Sequence, residues 1–237
     1  MHYDFIEIGT ADFDTLVEQD WPEDVRGICV EPRADLLANL VDRVNVIKVN
    51  AAISAADGFA PLYYVEIEDI PDAAIVQTNP IKFIKDAGAV HHLRGVSSLY
   101  HLHPGILTWV EEGHIPESAV KEQMVTVGTW PTFASTYDIT AIGYLKIDTA
   151  GHDIVILRQY FEYCEKNPAC LADVIEFEMQ THVWGDLIYE AVDRLESLGY
   201  TMNCLSDAQR AIFDKKEQPM LVFGETDLVV DNSIKAV

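Results

Sequence analysis

Apolar runs typical of β-strands alternate with helical segments along this chain, and this alternation restricts the fold more than any other feature. It predicts a mostly parallel sheet covered by helices. Strands are predicted at residues 3–8, 27–30, 44–49, 62–67, 122–127, 144–147, 174–177, 202–205 and 220–223, and helices at residues 13–18, 34–41, 154–164 and 187–198. The last two strands are too close in sequence for a crossover helix, which favours an antiparallel pair. We therefore expect an α/β, Rossmann-like fold with helices on both faces of the sheet.

The length of 237 residues suits a single domain with a substantial core. Residues 69–120 interrupt the regular pattern, because they hold prolines, glycines and most of the histidines with little periodicity. We expect this stretch to form an insertion or lid over the sheet of one domain that covers residues 1–237.

The formal net charge of -23, from 39 acidic and 16 basic residues, restricts the partners. Nucleic acids and anionic lipids are bound by Lys and Arg, so neither is an expected partner. No apolar run approaches the ~18 residues of a membrane span, and the N-terminus lacks the pattern of a signal peptide. These features predict a cytoplasmic protein, whose four cysteines, without a CxxC pair, are reduced structural thiols.

The first predicted strand ends in Glu7-Ile8-Gly9, and the second ends at Glu31. Ligands of open α/β sheets bind at the carboxyl ends of the strands, and an acid after the second strand commonly accepts hydrogen bonds from ribose hydroxyls. We therefore assign Glu7, Gly9 and Glu31 to a cofactor that carries a ribose. The alternative is that both acids are ordinary strand-end residues.

The loop after the first strand lacks the Gly-x-Gly-x-x-Gly pattern of pyrophosphate binders. Asp12 and Asp14 would repel a diphosphate but could hold a cationic group. S-adenosylmethionine carries an ammonium, a sulfonium and a ribose but no phosphate, so the charges favour it over NAD or FAD. In this interpretation Gly9 and Thr10 lie under its methionine part, and Asp12 contributes its charge. Asp12 is also the predicted N-cap of the helix at residues 13–18.

A second strand end rich in acid and glycine occupies residues 144–153. The carboxylate of Asp148 would orient a substrate hydroxyl or act as general base, with capping of the following helix as the alternative. His152 is a second candidate base because its ordinary pKa is near ~6.5, and a solvated helix-surface histidine is the alternative. Glu178 is preferred to Glu176 as a third catalytic residue because it is nearer the carboxyl end of its strand.

Histidines of the predicted lid raise the question of a metal site. On a strand, His101 and His103 would project to one side, as chelation requires. His91, His92 and His114 add further imidazoles, but no closing ligand follows at a recognised spacing. We therefore expect lid histidines without a metal.

Residues 144–153 resemble the Leu-Lys-Ile-Asp-x-Glu-Gly-x-[Glu/Asp] signature of the FkbM-type methyltransferases. Further similar stretches follow in the same order at residues 30–32, 50–54, 174–178 and 198–200. The resemblance implies a class I, S-adenosylmethionine-dependent methyltransferase fold whose members usually act on oxygen. In this interpretation Glu31 holds the ribose, while Asn50 and Ala51 flank the adenine.

Two positions depart from the family pattern. Gly9 is what remains of a Gly-Ala-Asn-x-Gly motif, and Ala150 stands where the family usually has Glu. The expected function is methyl transfer to a hydroxyl of a sugar or small molecule, and a catalytically degenerate protein that binds a ligand or partner is the alternative. The absent Gly-x-Gly-x-x-Gly pattern argues against a third candidate, a nucleotide-binding oxidoreductase.

Overall fold

The computed structural model describes residues 1–70, 93–102, 104–178, 185–205 and 210–214. The strands in these ranges are β1 (His2–Ile8), β2 (Gly27–Val30), β3 (Val46–Val49), β4 (Ala52–Ile53), β5 (Gly58–Val65), β6 (Val120–Gly128), β7 (Ala141–Ile147), β8 (Val174–Glu178), β9 (Thr201–Leu205) and β10 (Arg210–Asp214). The α-helices with both ends in these ranges are α1 (Ala34–Asn39), α2 (Pro104–Glu111), α3 (Trp130–Thr136), α4 (Asp153–Lys166) and α5 (Leu187–Ser197).

Seven strands form one sheet in the order β3-β2-β1-β7-β8-β10-β9. The five strands from β3 to β8 are parallel, which confirms the predicted α/β class and is compatible with a Rossmann-like fold. β10 runs antiparallel to both β8 and β9. The sequence predicts that residues 202–205 pair with residues 220–223. The latter lie outside the described residues, and in the described part of the chain β9 pairs with β10 instead.

Hydrophobic clusters lie against both faces of this sheet. Neighbouring residues of a strand point to opposite faces. Ile6 belongs to a cluster with side chains of α3, α4 and α5, whereas Phe5 belongs to a second cluster with α1 and the segment around Val17. Helices therefore flank the sheet, and burial of apolar area on both faces stabilises it. Of the described helices, none is long and apolar enough to cross a membrane.

The predicted helix at residues 13–18 is wrong. Only a 3-10 turn, Leu16–Glu18, forms there, and its cap does not include Asp12. Ala11 and Asp14 have φ angles of 47° and 52°, a left-handed conformation that a right-handed helix cannot include. The residues after β1 therefore form an irregular loop, which a window of helical periodicity does not reveal.

Part of the predicted insertion packs on a second, three-stranded sheet of order β4-β6-β5. Residues 93–102 join it through Tyr63 and Ser98, which exchange two backbone hydrogen bonds of 2.9 Å. Leu93 is fully buried in the adjoining apolar cluster. This segment therefore belongs to the folded body, whereas residues 71–92 lie outside the described residues.

An ion pair is buried between β1 and β7. Lys146 Nζ lies 2.9 Å from Glu7 Oε1 and donates to the Asp14 carbonyl at 2.6 Å. Glu7 Oε2 accepts the Leu16 amide at 2.8 Å. Burial raises the pKa of Glu7, and the charge of Lys146 opposes that rise. The assignment of Glu7 to the cofactor is therefore corrected, because its enclosed carboxylate binds the chain itself.

Replacing Lys146 by Met leaves the Glu7 carboxylate buried without its cation. We expect the free energy of unfolding to fall by about 3–5 kcal/mol, measured by urea denaturation at neutral pH. Lys166→Met at the exposed end of α4 is the matched control and should change stability by less than about 0.5 kcal/mol. Equal losses in both variants would contradict a stabilising role for the buried pair.

Candidate functional site

The carboxyl ends of five parallel strands meet at one edge of the main sheet. The residues at these ends are Gly9 after β1, Glu31 after β2, Asn50 after β3, Asp148 after β7 and Glu178 at the end of β8. The strand order reverses between β1 and β7, because β2 and β3 extend to one side and β8 to the other. Open α/β sheets bind ligands at such a switch point. The edge therefore collects most of the predicted site residues.

Gly9 permits the close contact between the loops after β1 and β7. Its φ is +82°, and a Cβ at this position would lie 1.9 Å from the Asp148 carbonyl oxygen. The Gly9 amide donates to Val30 at 2.9 Å, and the Asp148 amide donates to Ile8 at 2.9 Å. Any side chain at residue 9 would therefore push the two strand ends apart.

Glu31 joins the loops after β1 and β2. Its Oε2 accepts the Ala11 amide at 2.9 Å, and its Oε1 accepts the Arg33 amide at 2.9 Å. Only 4% of Glu31 is exposed, and burial raises its pKa to about 7, although both hydrogen bonds oppose the rise. Asn50 extends the connection to β3, since its Nδ2 donates to the carbonyls of Glu31 at 3.0 Å and Pro32 at 2.9 Å.

Thr10 and Ala51 bond within their own loops. Thr10 is buried, and its hydroxyl donates to the Ala11 carbonyl at 3.1 Å. The amide of half-buried Ala51 donates to Val49 at 3.1 Å. These bonds fix the backbone beside Glu31. Thr10 and Ala51 therefore lie at the predicted edge, in the loops after β1 and β3.

A cation does contact Asp12, but it belongs to the chain. Asp12 Oδ2 lies 2.6 Å from Arg94 Nη2 and accepts Asn39 Nδ2 at 2.9 Å. Only 5% of the Asp12 side chain is exposed. Arg94 comes from the predicted lid, so this contact ties residues 93–102 to the loop after β1.

Asp153 is a site residue that sequence reasoning missed. Its Oδ2 accepts the Thr149 hydroxyl at 2.8 Å, and its Oδ1 accepts the Glu178 amide at 3.4 Å. Burial, followed by repulsion from Asp148, raises its pKa to about 7. The proposed capping role of Asp148 is not observed, because His152 is the N-cap residue of α4. The sequence signal that could have identified Asp153 is its position, an acid at the first residue of α4 and close to the end of β7.

His152 is buried rather than solvated on a helix surface. Its Nε2 lies 3.3 Å from Ser54 Oγ, and its ring centroid lies 4.7 Å from that of Tyr100. Burial lowers the pKa of His152 to about 4, so the imidazole is neutral at pH 7. Ser54 and Tyr100 come from distant parts of the sequence, and no local pattern connects them to α4.

The two glutamates of β8 differ in their surroundings. Glu176 is buried, and its Oε2 accepts the Tyr144 hydroxyl at 2.5 Å. Glu178 is half-buried at the end of the strand, where its backbone amide bonds to Asp153. Glu178 is thus the one of the two that lies at the edge with Asp148 and Asp153.

In the described ranges, His, Cys, Asp and Glu side chains do not gather in groups of three that could hold a metal ion. His101 is exposed, and its ring centroid lies 5.9 Å from that of Tyr63. His91, His92 and His103 lie outside the described residues.

Burial sets the charge of three groups at this edge. The pKa values of Glu31 and Asp153 are raised to about 7 by burial, and His152 is a neutral acceptor. Hydroxyl-bearing ligands suit such carboxylates, because each oxygen accepts two hydrogen bonds.

Comparison with protein-family models, curated proteins and solved structures gave no match to this chain.

We expect Gly9→Ala to destabilise the protein more than Gly199→Ala. Gly199 has a similar φ of +87° but no atom within 4 Å of an added Cβ, so both variants share the backbone strain and only Gly9→Ala adds a clash. The excess loss of unfolding free energy should be about 1–3 kcal/mol, measured by urea denaturation. Equal losses would show that the loops after β1 and β7 can separate without cost.

The pKa of Asp153 predicts a pH-dependent stability. The group is protonated below about pH 7 when folded but ionises near its ordinary value of 3.8 when unfolded, so its stabilising contribution is lost as pH rises between these values. Up to about 4 kcal/mol is lost over this window. The stability of Asp153→Asn relative to the unmodified chain should therefore increase from about pH 4 to about pH 8.

This relative stability is measured by urea denaturation across the pH range, because the difference cancels the other titrating groups. Asp193→Asn, at an exposed position of α5, should show a constant difference. A constant difference for Asp153→Asn would contradict the raised pKa.

Proposed function

We propose that this chain is an S-adenosylmethionine-dependent methyltransferase that acts on a hydroxyl oxygen of a sugar or small molecule. The observation that carries the proposal is the position of Glu31, a buried acid at the carboxyl end of β2. It lies beside the β1 loop, whose amide at Ala11 it binds. An acid at this point of an open α/β sheet suits a ribose.

The strand order supports the methyltransferase class over a dinucleotide-binding enzyme. The dinucleotide-binding fold has six parallel strands in the order 3-2-1-4-5-6. Here the five parallel strands are followed by β10, which runs antiparallel to β8 and to the last strand, β9. An antiparallel final pair is part of the class I methyltransferase fold expected from the resemblance.

The strand-end loops fit the parts of this cofactor. Each oxygen of Glu31 accepts one backbone amide and retains capacity for a ribose hydroxyl. The Gly9–Thr10 backbone would lie under the methionine part, and Asn50 and Ala51 would flank the adenine. Asp12, paired with Arg94, would lie near the cationic end. When bound, S-adenosylmethionine supplies the activated methyl group.

The acceptor hydroxyl would bind on the β7 side of the switch point. Asp148, half-buried at the end of β7, would orient the hydroxyl and take its proton. His152 is neutral at pH 7 and can accept a hydrogen bond from the hydroxyl of the methyl-accepting substrate. Much of the rate in such a transfer comes from orientation. Tyr100, which packs on His152, would shield this side from water, and Glu178 would border it.

Ala150 favours a second candidate, a ligand-binding protein without catalysis. It stands where the family usually has Glu, and its φ of 48° is unusual for a residue with a Cβ. If the missing carboxylate positions the substrate in active members of the family, this chain binds the cofactor but does not transfer its methyl group. Binding without methyl transfer to any of a panel of sugar and small-molecule acceptors would favour this candidate.

Calorimetric titration with S-adenosylmethionine and S-adenosylhomocysteine tests the cofactor. At about pH 8.5, where most Glu31 carboxyls are ionised, we expect both compounds to bind. Glu31→Gln should weaken the affinity for each by at least about tenfold, because a charged acceptor for the ribose is lost. Glu196→Gln makes the same chemical change at an exposed position of α5 and should bind like the unmodified chain. Failure of the unmodified chain to bind either compound would reject the proposed function.

A further inference from the structure

One carboxylate oxygen at the edge of the sheet is buried without a partner. Arg94 Nη2 and Asn39 Nδ2 both contact Oδ2 of Asp12, at 2.6 Å and 2.9 Å. Oδ1 of Asp12 is buried and has no hydrogen-bond donor among the described residues. A buried acceptor without a donor costs free energy. A ligand that brings a donor to Oδ1 would recover that free energy.

Arg94 keeps hydrogen-bonding capacity beside this oxygen. A guanidinium has five N–H donors in a planar fork. Arg94 pairs with Asp12, and its charge also acts on the Glu68 carboxyl. Its side chain is 31% exposed, so part of the fork is open to an approaching anion. Arginine binds carboxylates through two parallel hydrogen bonds.

The backbone on both sides holds this pair in place. A Cβ at Gly95 would lie 2.9 Å from the Phe13 ring, so the chain beside Arg94 packs directly on the residue that follows Asp12. Ser98 is fixed to Tyr63 by two backbone hydrogen bonds. The positions of the Asp12 carboxylate and the Arg94 guanidinium are therefore fixed before any ligand binds.

We propose that Asp12 and Arg94 bind the two charged groups of an α-amino acid, namely the methionine end of S-adenosylmethionine. The ammonium donates to Oδ1 of Asp12, and the carboxylate accepts from Arg94. This assignment rests on the proposed function and deepens it, because it places a residue of the insertion in the cofactor site. Residues 93–102 thereby contact the ligand as well as the sheet.

A pair of ligands separates the amino acid end from the rest of the cofactor. S-adenosylhomocysteine carries the amino acid, whereas methylthioadenosine has the same adenosine and thioether without it. Both ligands are titrated calorimetrically into the unmodified full chain and into the variants Asp12→Asn and Arg94→Gln. We expect the affinity for S-adenosylhomocysteine to fall by about tenfold or more in each variant. The affinity for methylthioadenosine should change by less than about twofold in the same variants.

Two further variants control for charge and folding. Arg158→Gln removes an exposed arginine that pairs with Glu190 at 3.2 Å on the outer surface of α4 and α5, and it should leave both affinities unchanged. Arg94→Lys retains the charge but not the fork and should recover part of the lost affinity. The urea midpoint of each variant checks its fold, and Arg94→Gln decides the test if Asp12→Asn is unstable.

Four results would overturn the assignment. Equal weakening of both ligands would mean that the variants disturb the site as a whole. If the affinity for S-adenosylhomocysteine is unchanged in the variants, Asp12 and Arg94 do not contact the ligand. If Arg94→Gln binds S-adenosylhomocysteine more tightly than the unmodified chain, Arg94 competes with the ligand for Asp12. If the unmodified chain binds neither ligand, the proposed function fails and this assignment fails with it.

Discussion

The buried ion pair between Glu7 and Lys146 is the interaction on which the arrangement of the edge depends. It joins the two central strands and then extends to the loop after β1, through the Asp14 carbonyl and the Leu16 amide. Burying two charges is costly unless every remaining donor and acceptor is used. Here these backbone bonds meet part of that demand, so satisfying the charges also fixes the loop.

The loops around the switch point are interlocked by side chains and by one glycine. Gly9 allows the β1 and β7 ends to touch, Glu31 joins the β1 and β2 loops, and Asn50 connects β3 to them. Each link ends on backbone groups. A ligand at this edge would therefore meet loops whose conformation is already set, which lowers the entropic cost of binding.

Burial decides the protonation of the groups around the start of α4. Asp153 and His152 are adjacent in sequence, yet burial moves their pKa values in opposite directions, to about 7 and about 4. Removal from water penalises the charged form of each, which is the anion of an acid and the cation of a base. At pH 7 His152 is therefore neutral, and Asp153 is close to the midpoint of its titration.

The sequence by itself determined the fold class, the parallel strands and the edge at which the candidate residues meet, because apolar periodicity and strand-end residues are local signals. It also singled out Gly9, Glu31 and Asp148. Only the tertiary structure decided that Glu7 is internal and that Arg94, from a distant segment, meets Asp12. Such contacts depend on which strands are neighbours and on backbone angles like those of Ala11, and neither leaves a periodic trace in the chain.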